Sequence, residues 1–184
     1  MTEVKNRRAG RVLLVNPAGR VLLLHGGDPA RPGYRWWFTP GGGLDEGETT
    51  LDAACRELFE EVGLRVPADA LGAPVHSEVT EFSYGGRAYR QEQDFYLLRV
   101  DDWRVDTAGM DEDERLTITE HRWWSADEIE SSDAEIFPVD LPDLLRSLPS
   151  PTSLSSSPSI PSPPSVPSPR SLPSPRSVPS SGGA

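Results

Sequence analysis

Residues 42–64 read GGLDEGETTLDAACRELFEEVGL, and this stretch decides the fold because it joins a glycine-rich segment to an amphipathic helix. Thr49, with Asp52 three positions later, resembles a capping box at a helix N-terminus. Gly63 suits the left-handed residue that ends a helix. The pattern therefore predicts a helix from about residue 50 to residue 62.

The predicted helix has two chemically distinct faces. Its apolar face follows the spacing i, i+3, i+4, i+7, i+11 and must pack on a core; its members are Leu51, Ala54, Cys55, Leu58 and Val62. On a neighbouring face, at the spacing i, i+3, i+4, three carboxylates converge, those of Glu57, Glu60 and Glu61. Like charges this close require protonation or a cation, and hard oxygen ligands suit Mg²⁺ or Mn²⁺. Considered alone, three glutamates at this spacing more often form a solvated acidic face than a metal site.

The order of the whole stretch favours the metal site. It resembles the Nudix box of the Nudix hydrolases at every defined position, namely Gly42, Glu48, Arg56-Glu57-Leu58, Glu60-Glu61 and Gly63-Leu64. The resemblance covers about residues 8–147 and implies an α/β fold, the Nudix-like α/β/α sandwich with a mixed β-sheet. It also implies hydrolysis of a diphosphate bond in a nucleoside diphosphate linked to another group.

The resemblance further implies a role for each residue of the box. The carboxylates of Glu57, Glu60 and Glu61 would hold Mg²⁺ or Mn²⁺ with the backbone carbonyl of Gly42, and the glycines at 41–43 would form a turn. The structural and orienting residues would be Glu48, which braces the loop, Arg56, which pairs with the carboxylates, and Gly63, which ends the helix. The predicted catalytic set is therefore Arg56, Glu57 and Glu60.

The catalytic base varies among Nudix hydrolases, and two locations are open here. Glu57 is the candidate inside the box. Glu112 and Glu114 are candidates outside it, in the acidic run 111–114, which we expect to form a solvated loop before a strand at 116–124.

Residues outside the box leave the substrate undetermined among oxidised or ordinary nucleoside triphosphates, ADP-ribose and nucleotide sugars. Trp36 and Trp37 should point to opposite faces of a strand, so that one lies in the core and the other borders the substrate. Trp37, Arg87 and Tyr89 are the candidates for substrate contact.

The remaining sequence predicts strands alternating with short helices. The predicted strands cover 11–15, 21–24, 35–39, 75–84, 88–100 and 116–124, and the predicted helices cover 125–129 and 141–148. The first two strands form a hairpin around a turn at 16–19.

Composition divides the chain into a Nudix hydrolase domain, residues 1–148, and a Ser/Pro-rich tail, residues 149–184. The tail holds 11 of the 19 prolines and no acidic or aromatic residue, so we expect it to be disordered. All 29 acidic residues but only 16 of the 18 basic residues precede it, which gives the domain a formal charge of −13. Such a charge argues against a nucleic-acid polymer or an anionic membrane as partner and favours a small nucleotide-type substrate whose phosphates a metal neutralises.

The single cysteine, Cys55, excludes an intrachain disulfide and favours a reducing, cytoplasmic setting. The N-terminus does not predict a signal peptide, and the sequence has no apolar run long enough for a membrane span. A homodimer remains open. The alternatives to a hydrolase are a Nudix-fold nucleotide-binding module without catalysis, which would normally lack box glutamates, and a prenyl diphosphate isomerase, which needs a reactive cysteine. Cys55 on the core face argues against the isomerase.

Overall fold

The computed structural model describes residues 3–101 and 103–149. The strands are β1 (Val4–Val15), β2 (Val21–Gly27), β3 (Arg35–Phe38), β4 (Gly41–Gly43), β5 (His76–Tyr84), β6 (Arg87–Arg99), β7 (Glu120–Trp124) and β8 (Ile136–Phe137). The helices are α1 (Thr50–Val62), α2 (Glu112–Thr117), α3 (Ala126–Glu130) and α4 (Leu141–Ser147), with a 3-10 turn over Ala68–Ala70.

The eight strands form one mixed sheet. Six of them follow the order β5-β6-β1-β2-β3-β8, while β4 pairs with β1 and β7 pairs with β2. Strand β1 runs parallel to β6 over its whole length, and β3 is parallel to β8; the other pairs are antiparallel. The predicted α/β fold with a mixed sheet is confirmed.

The sheet has a core on each face because side chains alternate along its central strands. On one face, Leu14 of β1 belongs to the same buried cluster as Leu58 of α1. On the other face, Leu13 belongs to a cluster with Ile129 of α3 and Leu141 of α4. The helices therefore cover both faces of the sheet, as in the expected α/β/α sandwich.

Helix α1 begins and ends at the predicted residues. The Thr49 hydroxyl accepts a hydrogen bond from the Asp52 backbone N–H at 3.2 Å, and the Asp52 carboxylate accepts one from the Thr49 N–H at 3.0 Å. Gly63 adopts φ 74° and closes the helix with an N–H donated to the Phe59 carbonyl. A Cβ on Gly10 would overlap the Thr50 carbonyl, so the start of the helix lies directly against β1.

The glycines at 41–43 do not form the expected turn. They make strand β4, whose residues pair antiparallel with Ala9, Gly10 and Arg11 of β1. Pairing with β6 explains why β1 begins at Val4 instead of Arg11, since β6 pairs with β1 from Val4 onward, whereas β4 pairs only with residues 9–11. Glycine has low strand propensity, so tertiary pairing decides the conformation here.

The acidic run 111–114 is not a loop. Asp111 caps helix α2, because its side chain accepts from the Glu114 N–H at 2.8 Å while the Glu114 side chain accepts from the Asp111 N–H at 2.8 Å. The following strand consequently begins at Glu120 instead of Leu116. Strand β8 was not predicted, because a two-residue strand leaves no periodicity to detect.

The last predicted helices are confirmed within a residue or two, as α3 after its cap Ser125 and as α4. The expected disordered tail, from residue 150 on, lies outside the described residues. Among the described residues, none of the helices is long and apolar enough to cross a membrane.

Candidate active site

Arg56 connects the box loop to the acidic face of α1. Its Nε and Nη2 donate to the two oxygens of Glu48 at 2.8 and 3.0 Å, and Nη2 also donates to the Gly43 carbonyl at 2.9 Å. Its Nη1 donates to Glu57 at 2.9 Å and to Glu60 at 3.0 Å. The hydrogen bonds that Arg56 donates to Glu48 and Glu57 raise its pKa above the usual value, although burial opposes this. One guanidinium therefore fixes the positions of three carboxylates, in the bracing and orienting geometry that the sequence predicted.

Three carboxylates converge beside this arginine, and one of them comes from outside the box. Oxygens of Glu57, Glu60 and Glu114 all lie within 4.8 Å of one another. Glu114 reaches the cluster from α2, whereas Glu112 on the same helix is exposed to solvent. Of the two candidate bases in the acidic run, the structure thus brings only Glu114 to the box.

Glu61 lies next to this cluster but has other partners. Its carboxylate is 3% exposed and accepts the Gly41 N–H at 2.7 Å. The Gly41 carbonyl accepts in turn from Arg11 Nη1 at 2.6 Å. Glu61 and Arg11 together hold β4 in place.

The buried carboxylates bind protons more tightly than ordinary ones. Burial raises the pKa of Glu57, although Arg56 opposes the shift. Burial, followed by the charge of Glu57, raises the pKa of Glu61 well above its usual range. Burial also raises the pKa of Glu114. A site that holds several carboxylates under these conditions gains stability from a cation.

Gly42 approaches the Glu57 carboxylate so closely that a Cβ at this position would overlap it. The neighbouring Gly43 has room for a Cβ, since the nearest atoms would lie 3.9 Å away. Glu57 can therefore keep this position only if residue 42 is glycine. The sequence motif alone had singled out Gly42, and the structure gives the steric reason for it.

Glu57, Glu61 and Glu114 line a cleft of about 540 Å³, within the usual range for a small-ligand pocket. Arginines and aromatic side chains line the rest of the cleft, namely Arg7, Arg11, Arg31, Tyr34, Trp36, Phe38, Phe82 and Tyr84. The Arg7 guanidinium lies 5.2 Å from the Phe82 ring centre and 4.8 Å from that of Tyr89. The cleft thus combines cationic and aromatic groups although the domain as a whole is acidic.

The three predicted substrate contacts are not among the described residues that line the cleft. Trp37 is 9% exposed and packs in the core, with its ring stacked on His25 and edge-on to Trp124. Trp36 points to the opposite face and lines the cleft. The sequence predicted that the two tryptophans point to opposite faces, but the prediction that Trp37 is the one at the cleft was wrong. Strand register decides which of the two is buried.

Arg87 is exposed at the start of β6. The Tyr89 ring stacks on Phe82 and lies under the Arg7 guanidinium. The cleft arginines Arg7 and Arg31 escaped the sequence analysis. Arg7 has no local signal in the sequence, because its partner Gln91, to whose side chain it donates, belongs to the distant strand β6.

A family model described as a NUDIX domain matches residues 5–143. The chain belongs to the Nudix family. The match spans the sheet, the box and α2, so the Nudix resemblance stated from the box residues is confirmed, and with it the prediction of a pyrophosphohydrolase enzyme in place of a non-catalytic Nudix module.

Two curated relatives resemble the chain over most of its length. An RNA pyrophosphohydrolase of Psychrobacter sp. is 30% identical over 75% of this chain and 83% of its own. A protein of the same name from Erythrobacter litoralis is 33% identical over 69% of this chain and 80% of its own. Both support an enzyme of the Nudix hydrolase class.

Solved structures support the Nudix fold. The MutT protein of Methanosarcina mazei Go1 matches 79% of this chain and 94% of its own, with a TM-score of 0.54 at 19% identity. The MutT Nudix hydrolase of Burkholderia pseudomallei matches 79% of this chain and 99% of its own, with a TM-score of 0.51 at 19% identity. At this identity the likeness shows the fold alone.

Proposed function

We propose that this Nudix protein hydrolyses, with Mg²⁺ or Mn²⁺, a phosphoanhydride bond of a nucleoside diphosphate linked to another group. The observation that carries the proposal is the convergence of Glu57, Glu60 and Glu114. Two of these carboxylates, Glu57 and Glu114, line a cleft that also holds arginines and aromatic rings. Carboxylates bind the metal, cations bind phosphates and aromatic faces stack on a base.

The donor set fits a hard divalent cation. Glu57 and Glu60 supply oxygen ligands only, and the burial of Glu57 favours neutralisation of its charge. Glu57 and Glu60 would hold the metal, with Glu61 and the Gly42 carbonyl adjacent, and Glu114 from outside the box would remain free to act as the base. When bound, the metal would neutralise phosphate charge and lower the pKa of a coordinated water.

The side chains of the chain then have separate tasks. Arg56 holds Glu57 and Glu60 in register with the box loop. Glu114, partly exposed and with its pKa raised by burial, is positioned to accept a proton from an attacking water at the cleft. Arg7, whose guanidinium is braced by Gln91 and two aromatic rings, would bind a phosphate. Trp36, paired with Tyr34 at 5.2 Å between ring centres, would border the base.

Arg11 differs from Arg7 because its Nε and Nη1 donate to several groups of the protein itself. It donates to Gly41 and Thr39 carbonyls and to Gln93, and burial lowers its pKa. We infer that Arg11 stabilises β4 and that Arg7 binds the substrate.

A second candidate substrate is the 5′ end of RNA. The names of the Psychrobacter and Erythrobacter relatives favour it. The formal charge of −13 on the domain opposes long-range attraction of a polymer, which was the basis for expecting a small substrate. The arginines that line the cleft would bind only the terminal phosphates of such an RNA.

A substrate screen tests the proposal. The panel contains nucleoside triphosphates including oxidised ones, ADP-ribose, nucleotide sugars, dinucleoside polyphosphates and a 5′-triphosphorylated oligoribonucleotide, each with Mg²⁺, with Mn²⁺ and with EDTA. We expect metal-dependent phosphate or pyrophosphate release that Glu57→Gln and Glu60→Gln each abolish without unfolding the protein. Release from none of the compounds, or release unaffected by EDTA, would overturn the proposal.

A further inference from the structure

A second group of metal-ligating side chains lies away from the box carboxylates. His76 and Glu78 on β5 and Asp140 before α4 each direct one ligand atom to a common point, and these atoms lie within 4.8 Å of one another. His76 Nε2 is 4.0 Å from a Glu78 oxygen and 3.8 Å from an Asp140 oxygen.

The strand and the loop explain why the three side chains meet. His76 and Glu78 are two residues apart on β5, so they point to the same face of the sheet. Asp140 occupies the N-cap position of α4, yet its side chain makes no capping hydrogen bond. Its carboxylate is therefore not used by the helix and is directed at His76.

His76 Nε2 supplies an observation independent of the cluster. Within the described residues, this atom is buried and has no hydrogen-bond partner. Both carboxylates are too distant to accept a hydrogen bond from it, because such bonds rarely exceed about 3.2 Å. A buried nitrogen without a partner is costly, and the two oxygens named above belong to carboxylates.

The spacing suits one bound ion. Ligands at about 2.0–2.2 Å from a tetrahedral Zn²⁺ lie roughly 3.4 Å apart, so the measured distances of 4.0 and 3.8 Å would shorten by about 0.6 and 0.4 Å. The two carboxylate oxygens, which lie within 4.8 Å of each other, would also move closer together. A ligand set of one imidazole and two carboxylates suits Zn²⁺ and related transition metals better than Mg²⁺, which prefers oxygen alone.

The second oxygen of Glu78 is hydrogen-bonded to a side chain that lines the cleft. Glu78 Oε1 accepts a hydrogen bond from Gln93 Nε2, and the Gln93 oxygen accepts from Gln91 at 2.7 Å. Such an outer hydrogen bond is typical of a ligating carboxylate and fixes its orientation. It also links the cluster to two glutamines that line the cleft.

We propose that His76, Glu78 and Asp140 form a binding site for a Zn²⁺-type ion, separate from the box carboxylates, which fastens β5 to the start of α4. Because Glu78 also holds Gln93, the bound ion fixes the orientation of that cleft side chain.

Calorimetric titration of Zn²⁺ into the full chain, with Mg²⁺ in large excess to occupy the box carboxylates, tests the site. We expect one Zn²⁺ per chain and affinity reduced at least about tenfold in His76→Ala and in Asp140→Asn, since even the loss of an outer partner of a ligand costs that much. His121→Ala, which removes an exposed histidine of β7, is the matched control and should bind as the wild type does.

Thermal unfolding provides a second readout that does not depend on catalysis. Zn²⁺ should raise the melting temperature of the wild type and of His121→Ala, but not that of Asp140→Asn, whose exposed side chain can change without loss of the fold. Equal Zn²⁺ binding and equal thermal shifts in all variants would overturn the proposal. Loss of Zn²⁺ binding with Mg²⁺-dependent hydrolysis retained in Asp140→Asn would support a site distinct from the catalytic one.

Discussion

A carboxylate oxygen of Glu114 on α2 lies within 4.8 Å of one of Glu57 on α1, although the two residues are far apart in the sequence. Glu114 thus adds a carboxylate from outside the box to the acidic site. Burial raises the pKa of both groups. The pKa of each therefore lies closer to neutral pH than that of an ordinary glutamate, which suits a group that exchanges protons.

Glu114→Gln should lower turnover by about 10²–10⁴-fold, because it removes a carboxylate from the cluster without changing side-chain volume. Initial rates at saturating substrate measure the effect. Glu112→Gln is the matched control, since Glu112 belongs to the same helix but is exposed. Similar rates for the two variants would exclude a catalytic or ligand role for Glu114.

Gly42→Ala should lower kcat by roughly 10²-fold, because its Cβ would displace the Glu57 carboxylate, and misplacement of a catalytic group by about 1 Å has this effect. Gly43→Ala should retain most activity, since a Cβ there meets only atoms at 3.9 Å. Steady-state kinetics of both variants, with circular dichroism to verify folding, decide the point. Full activity in Gly42→Ala would show that the box tolerates displacement of Glu57.

The two adjacent tryptophans should respond in opposite ways to substitution. Trp37→Ala removes a buried ring from the core and should cost about 3–5 kcal/mol in the free energy of unfolding. Trp36→Ala should cost much less stability but should raise KM, because Trp36 lines the cleft. Urea unfolding and kinetics of both variants measure the difference. A larger loss of stability in Trp36→Ala would contradict the observed strand register.

Asp94 should make a pH-dependent contribution to stability. Burial alone would raise its pKa, but hydrogen bonds from Ser77 Oγ at 2.6 Å and Thr50 Oγ1 at 2.7 Å outweigh burial and lower it. A carboxylate with a lowered pKa stabilises the fold above its unfolded pKa of about 3.9, and the contribution is lost as the pH falls through the folded value.

Asp94→Asn should therefore be less stable than the wild type by about 1–2 kcal/mol at pH 7, and the difference should shrink below about pH 4. Urea unfolding across this pH range checks the expectation. Asp133→Asn, in an exposed loop, is the control. A difference independent of pH would show that the charge of Asp94 is not what stabilises the contact between α1 and β6.

Local signals explain why the box was predictable. The capping residues, the apolar stripe of α1 and the spacing of its glutamates all lie within one short stretch, and the structure reproduces them. The contacts of Arg56 with Glu48 and Glu60 follow from the same stretch.

Other parts of the site depend on contacts between distant segments. Strand β4 exists because β1 pairs with it, and the role of Gly42 depends on where α1 places Glu57. Helix α2 did have a local signal, since Asp111 and Glu114 form a capping box, but its acidic composition favoured a loop in the sequence analysis. The choice between Trp36 and Trp37 required the register of β3.

Binding of Mn²⁺ to the acidic cluster tests the central claim most directly. Titration of Mn²⁺ into the full chain, followed by electron paramagnetic resonance of the free ion, should show at least one ion bound by the wild type in the presence of nucleotide. The variant that combines Glu57→Gln, Glu60→Gln and Glu114→Gln should bind none at this site, whereas Glu112→Gln should bind as the wild type does. Equal Mn²⁺ binding by the wild type and the triple variant, with the triple variant still folded, would contradict the account.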